Sequence, residues 1–287
     1  MRHLTFSILT FFIIVAFPMG ASAQVASRLG DELVSDFKYT ANNAADDAID
    51  VATFPLHLDE AVPVVTSPRF YLILGGAGAL WAGSFALDQT MKSHLRAMST
   101  SDADLLQNIS YASVSAGTAL LYGWGLYSGD SRAREYAITA GEGAGIATLL
   151  DIGIKDAFGR LRPRQTSSHT AFFKGGASFV SGDVTPMFGL AAGVSEYFNN
   201  EWYVAVPVYS LALLDGFGRM GNNAHWFSDV IGAALLGAGT TELLLYLHRK
   251  HQENPNRFKI FAVSVPPNTP RAAQTAFPTG LGVAFNW

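Results

Sequence analysis

Six apolar stretches rich in glycine and alanine, at about 70–87, 111–127, 137–154, 184–198, 202–214 and 228–247, run through the chain with polar connections between them. Most exceed the length of an ordinary strand and lack its strict alternation, so the pattern predicts an all-α fold built as a bundle of about six helices. Gly75, Gly76, Gly78 and Ala79 in the first stretch, and Gly232, Ala233 and Ala234 in the last, would let helix backbones approach closely. The stretch 70–87 has the length and low charge of a membrane span, and 111–127 and 228–247 approach it. Stretch 137–154 falls short because it carries Glu142 and Asp151, and 184–198 and 202–214 are brief. A hydrophobic content of 49% against 15% charged residues is greasier than a soluble enzyme and more polar than a polytopic transporter.

The two ends differ from this body. Arg2 and His3 precede the apolar run Phe6 to Pro18, followed by Ala21-Ser22-Ala23, the order of a secretory signal peptide over 1–23. In residues 24–68, Val25, Leu29, Leu33 and Phe37 recur every fourth position, which predicts an amphipathic helix packed on the main body, then a loop around Pro55 and Pro63. Residues 69–250 form the expected helical domain. The tail, 251–287, changes character: Phe258 to Val265 and Gly282 to Trp287 suggest two short strands with no membrane role. A balance of 19 Lys+Arg against 23 Asp+Glu, net −4, argues against a nucleic-acid partner, so any anion site must be local. With no cysteine there is neither a disulfide framework nor a thiolate metal site, and no His/Asp/Glu group shows ligand spacing in the sequence.

Polar and basic residues collect in three segments between these nearly uncharged stretches. Lys155 to Pro163 suits a basic helix C-terminus or a positively charged loop. Ser178 to Asp183 precedes a helix and suits a cap and turn. Gly218-Arg219 is followed by His225 and Asp229, which are four apart and share one face of the last helix.

In this order and spacing the three segments resemble the signature of the type-2 phosphatidic acid phosphatase superfamily, the histidine phosphatases related to vanadium haloperoxidases. The first part of that signature, Lys, six residues and Arg-Pro, is complete in Lys155, Arg162 and Pro163. The third, Ser-Arg, five residues, His, three residues and Asp, is met by Arg219, His225 and Asp229, with Gly218 in place of the serine. The second, Pro-Ser-Gly-His, reads Val180-Ser181-Gly182-Asp183, so Asp183 stands where the family has its acid histidine.

The resemblance implies a phosphatase that hydrolyses a phosphoester or diphosphate, of a lipid, through a phosphohistidine on His225 oriented by Asp229. Lys155, Arg162 and Arg219 would face the phosphate, because charge on the equatorial oxygens of a transferring phosphoryl group needs fixed cations. The Ser181 hydroxyl and the Gly182 N–H would add neutral donors at a helix start. Neither metal nor cofactor is implied. Asp183 could protonate the leaving oxygen if a neighbouring phosphate raises its pKa; alternatively the leaving group is good, as in a diphosphate, or His169 supplies the proton. Rival readings are a soluble periplasmic acid phosphatase for small phosphomonoesters and a non-catalytic phosphate-binding scaffold. The expected partners are a phosphorylated lipid or small phosphoester and a membrane, in the cell envelope after export. If every stretch crossed the membrane, three crossings would put Lys155 in the cytoplasm; the expectation is nevertheless a periplasm-facing pocket, with incomplete insertion resolving the conflict.

Overall fold

Polar side chains and left-handed residues set where the helices begin and end. Ser99 Oγ accepts from the Asp102 N–H at 3.1 Å and Asp130 Oδ1 from the Ala133 N–H at 3.2 Å, each satisfying a donor that the first helical turn leaves orphaned. Gly129 at φ 76° and Gly159 at φ 51° close the corresponding helices in a conformation that costs other residues a Cβ clash. The computed structural model describes residues 23–54, 68–253, 259–263 and 280–284. The signal-peptide reading up to Ser22 and the loop around Pro55 and Pro63 lie outside the described residues.

Among the described residues seven helices follow in order: α1 (Ala23–Thr53), α2 (Pro68–Leu95), α3 (Thr100–Ser128), α4 (Ser131–Phe158), α5 (Val184–Tyr197), α6 (Trp202–Gly221) and α7 (Phe227–Glu253). The all-α bundle is as expected, with the six apolar stretches inside α2 to α7, apart from the last residue of 184–198, Phe198, which caps α5. Most helices run past their stretches because the polar flanks are themselves good helix formers or caps. A final antiparallel pair, β1 (Lys259–Val263) and β2 (Gly280–Ala284), aligns Lys259 with Ala284 and Val263 with Gly280. The second strand thus begins two residues before the apolar run at Gly282.

Helix α5 is the centre of the bundle. Val184, Met187, Phe188, Leu190, Ala191 and Val194 are all buried, so it is apolar nearly all round, as a core helix should be. Glycines bring its neighbours close. A Cβ on Gly193 would lie 2.3 Å from Ala140 Cβ of α4, and one on Gly237 of α7 would lie 2.0 Å from the Thr185 carbonyl oxygen of α5. Neither position accepts a side chain without moving backbone.

The amphipathic α1 docks on the bundle. Val51 packs with Ile146 and Leu244, while Asp36 Oδ2 accepts from Arg134 Nε and from the Tyr122 hydroxyl, both at 3.0 Å. Arg28 Nη2 donates to the carbonyls of Leu126 and Tyr127, each at 3.2 Å, at the otherwise unsatisfied C-terminus of α3.

Among the described residues, two helices are long and apolar enough to cross a membrane, Ser131–Phe158 and Phe227–Lys250. The second contains the 228–247 stretch. The first contains 137–154, which the sequence reading set aside because of Glu142 and Asp151; those two charges leave the mean hydropathy of an 18-residue window at 1.3. Other large apolar side chains also face outward: Leu72 of α2 is 76% exposed and Leu120 of α3 72%, with Trp124, Leu149 and Trp202 likewise exposed. An apolar exterior this extensive, spread over several helices, marks a contact with lipid or another protein.

Candidate active site

A buried arginine is the pedestal of the site. Arg160 lies just past the C-cap of α4 with its side chain fully enclosed. Its Nη1 donates to Asp229 Oδ1 at 2.5 Å and to Ser228 Oγ at 2.7 Å, and Nη2 to Asp88 Oδ2 at 2.7 Å. The His169 carbonyl takes a further bond from Nε at 3.0 Å. The rings of Phe85, Phe172 and Trp226 surround the guanidinium at 4.8 to 5.6 Å, an arrangement that suits arginine's planar, weakly hydrated cation. One cation thereby fixes two buried carboxylates, from α2 and from α7.

Asp229 is held on both sides. Its Oδ2 accepts from Ser178 Oγ at 2.5 Å and from the Trp226 N–H at 2.9 Å. The second bond is half of a capping box: Trp226 precedes α7, and the carboxylate three residues on reaches back to its N–H.

His225 is 2% exposed. Its Nδ1 donates to the Ser178 carbonyl at 2.7 Å, whereas Asp229 Oδ2 stands 3.7 Å from the same nitrogen, beyond hydrogen-bond range. The group that fixes the tautomer is therefore the Ser178 carbonyl, with Asp229 behind it as a nearby negative charge. With Nδ1 engaged, Nε2 is the ring nitrogen left with a lone pair. Burial pushes the imidazole pKa below its ordinary value, and the charges of Arg219 and Arg162 act the same way, against the opposing pull of Asp229. His225 is thus neutral at neutral pH and lines a small cleft with Pro163, Met220, Asn223, Trp226 and Phe227.

The expected phosphate-facing residues converge on the same end of the bundle. Lys155, in the last turn of α4, pairs with Asp151. A Cβ on Gly182 would lie 2.9 Å from Lys155 Nζ, so glycine is what lets the ammonium approach the loop before α5. Arg162 Nη2 donates to the Ala177 carbonyl at 3.2 Å, and burial, followed by the charges of Arg164 and Arg219, lowers its pKa. Arg219 pairs with Asp183 at 3.0 Å and donates to Gln107 Oε1 at 3.3 Å. Ser181 Oγ and Arg219 Nε are buried and have no protein partner. Native interiors rarely leave such donors unmet, so these two point to a missing acceptor.

Asp183 faces this group of cations from the position before α5, and the Tyr111 hydroxyl donates to its Oδ1 at 3.1 Å. Asp215, one turn before Arg219 on α6, is fully buried, and its pKa is pushed up to about 8 by burial and then by the charge of Asp183. His169 lies on the Arg160 side of His225: its Nδ1 is 3.5 Å from Asp88 Oδ2 and its ring packs edge-on to Trp226.

Arg160, Asp88, Ser178 and Asp215 carry no role in the sequence reading. Arg160 and Ser178 lie inside the segments singled out there. Asp88, 72 positions from Arg160, gives no local signal.

The fold and the site define a class: a helical bundle whose end presents a neutral, backed histidine to a ring of cations. Residues 136–253 match the PAP2 superfamily. Over 90 residues it is 34% identical to a lipid A 1-phosphatase of Porphyromonas gingivalis (strain ATCC 33277). That alignment covers 31% of this chain and 18% of the relative, so the chain matches less than a fifth of the relative's length. No solved structure matches.

Proposed function

We propose that the protein is a membrane-associated phosphatase acting on a lipid phosphate or diphosphate, with a covalent phosphohistidine on His225. The observation that carries this reading is the committed Nδ1 of a buried, neutral His225 within reach of the charges of Arg219 and Arg162. Nε2 would attack phosphorus in line with the leaving oxygen. The P–O bond to the leaving group breaks as the N–P bond forms, and Asp183 gives its proton to the departing oxygen. Water then attacks the phosphohistidine, returning a proton to Asp183 and releasing phosphate. Lys155, Arg162, Arg219 and the Ser181 hydroxyl would hold the three equatorial oxygens throughout, and no step of this scheme requires a metal.

The entering phosphate would compete with Asp183 for Arg219. The lipid assignment is supported by the exposed leucines and tryptophans of α2 to α6 and by the named activity of the P. gingivalis relative. The site would face the periplasm after export directed by residues 1–23.

Phosphate release from detergent-solubilised protein should be measured across pH with a lipid monophosphate, a lipid diphosphate and a chromogenic monoester. His225→Ala should lower turnover more than about 10³-fold, as removal of a covalent nucleophile does. Quenching the wild type in alkaline detergent should trap an alkali-stable phosphoprotein that loses its phosphate in acid and is absent from the variant. Unchanged turnover in His225→Ala would overturn the mechanism, and binding of phosphate without turnover of any substrate would favour the scaffold reading.

A further inference from the structure

A second polar centre lies far from this pocket, where α1 crosses α4 and α7. Asp47, Glu142 and His248 each offer a ligand atom there, and the three atoms lie within 4.8 Å of one another. Glu142 is 13 residues before Lys155 and His248 is 19 residues after Asp229, which at ~1.5 Å per helical residue puts the cluster about 20 to 28 Å from the phosphate site.

The bonding of the group is incomplete in an informative way. Asp47 is 5% exposed and its Oδ2 is buried without a protein partner, while Thr40 of α1 stands beside the buried Glu142 carboxylate. His248 Nδ1 stands 3.3 Å from Thr139 Oγ1, and Nε2 is 3.1 Å from Asp47 Oδ1. Without an ion Nε2 donates to Asp47 Oδ1; with a cation between them, the Thr139 hydroxyl can accept from Nδ1–H while the Nε2 lone pair turns to the metal. That is the usual outer support of a metal-bound histidine.

We propose that Asp47, Glu142 and His248 form a structural site for a first-row divalent cation of the Zn2+ type, which fastens α1 to α4 and α7. One imidazole nitrogen and two carboxylate oxygens are a donor set that Zn2+ accepts, with water in the fourth position. Two donors each ~2.0–2.1 Å from one ion at a tetrahedral angle stand about 3.3 Å apart, close to the observed Nε2 to Oδ1 separation. A divalent ion also cancels the charge of two carboxylates that would otherwise be buried together with too few donors. The Tyr39 ring of α1 packs nearly at right angles to the His248 ring, with centroids 6.3 Å apart.

The test uses the full chain carrying no affinity tag, stripped with EDTA, desalted and titrated with ZnSO4. Bound zinc is counted by mass spectrometry after a second desalting, and hydrogen exchange is followed over residues 23–53. One equivalent should bind, with exchange in α1 slowed at least about tenfold. Asp47→Asn and Glu142→Gln, which keep the shape of the side chains, should each weaken binding by about tenfold to a hundredfold, while His225→Ala should keep its full equivalent. Less than about 0.2 equivalents in the wild type would overturn the proposal. So would a full equivalent retained by Asp47→Asn/Glu142→Gln, or binding of Ca2+ in preference to Zn2+, which would remove the role of the nitrogen donor. If His248→Ala fails to fold by circular dichroism, the two amide variants still decide the question.

Discussion

The two sides of His225 are built on opposite rules. Behind it, Arg160, Asp88, Ser228, Ser178 and Asp229 are joined by hydrogen bonds, each bond meeting a buried group with another. In front of it, Ser181 Oγ and Arg219 Nε are buried donors without a protein partner. A network that is fully paired without substrate contributes fixed geometry. A wall that is incompletely paired is completed by what binds there, so its unmet donors are the better guide to the ligand.

This contrast predicts which substitutions harm chemistry and which harm folding. On the front wall, Asp183→Asn removes the proposed acid: hydrolysis of a lipid monophosphate should fall about 10²–10⁴-fold, and that of a diphosphate, with its better leaving group, by clearly less. Equal losses on the two substrates would deny Asp183 the acid role. On the rear side, Arg160→Met leaves Asp88 and Asp229 buried without their cation and should cost about 3–5 kcal/mol in chemical denaturation. A variant as stable as wild type would show that the pedestal is not a structural unit.

Smaller effects sharpen the division. Ser181→Ala removes a hydroxyl with no protein partner, so stability should change by less than about 0.5 kcal/mol, while kcat/KM falls about tenfold through one lost hydrogen bond to phosphate. Asp215 gives the last effect. Its folded pKa, about 8, is above the ordinary 3.8, so the folded state keeps a proton that the unfolded state has lost between those values. Stability therefore falls as pH rises through that window. Asp215→Asn should be the more stable protein at pH 8, with the gap closing toward pH 4 and reaching a few degrees in Tm at most.

The residues proposed to bind and attack the phosphate, with the carboxylate behind them, were the legible part of this site. Lys155, Arg162, Arg219, His225 and Asp229 sit at fixed spacings because each lies near the end of a helix or in a short loop, where sequence distance maps onto space. The supports were not legible. Asp88 meets Ser228 across 140 positions and Asp47 meets His248 across 201, so no local pattern joins them. The Ser178 carbonyl is invisible for another reason, since a backbone acceptor leaves no trace in residue identity. The fold was read from apolar length alone, which found six core helices but missed the ends of most, where Ser99, Asp130 and Gly159 govern. The same rule underrated 137–154, since Asp151 answers Lys155 one turn away and Glu142 lies beside His248.

The glycine contacts of α5 have a mechanical consequence. Turning α4, α5 or α7 by one residue, about 100° about its axis, would drive a side chain into a facing backbone that now tolerates none at Gly193 or Gly237. These three helices move as one block or not at all. Lys155, Asp183 and Asp229 stand on that block, whereas Asp88 and Arg219 reach it from α2 and α6 through side chains. Any breathing that admits a bulky substrate therefore belongs to α2, α6 and the loop between α4 and α5, and the distance from Lys155 to Asp229 stays constant while the mouth of the cleft opens.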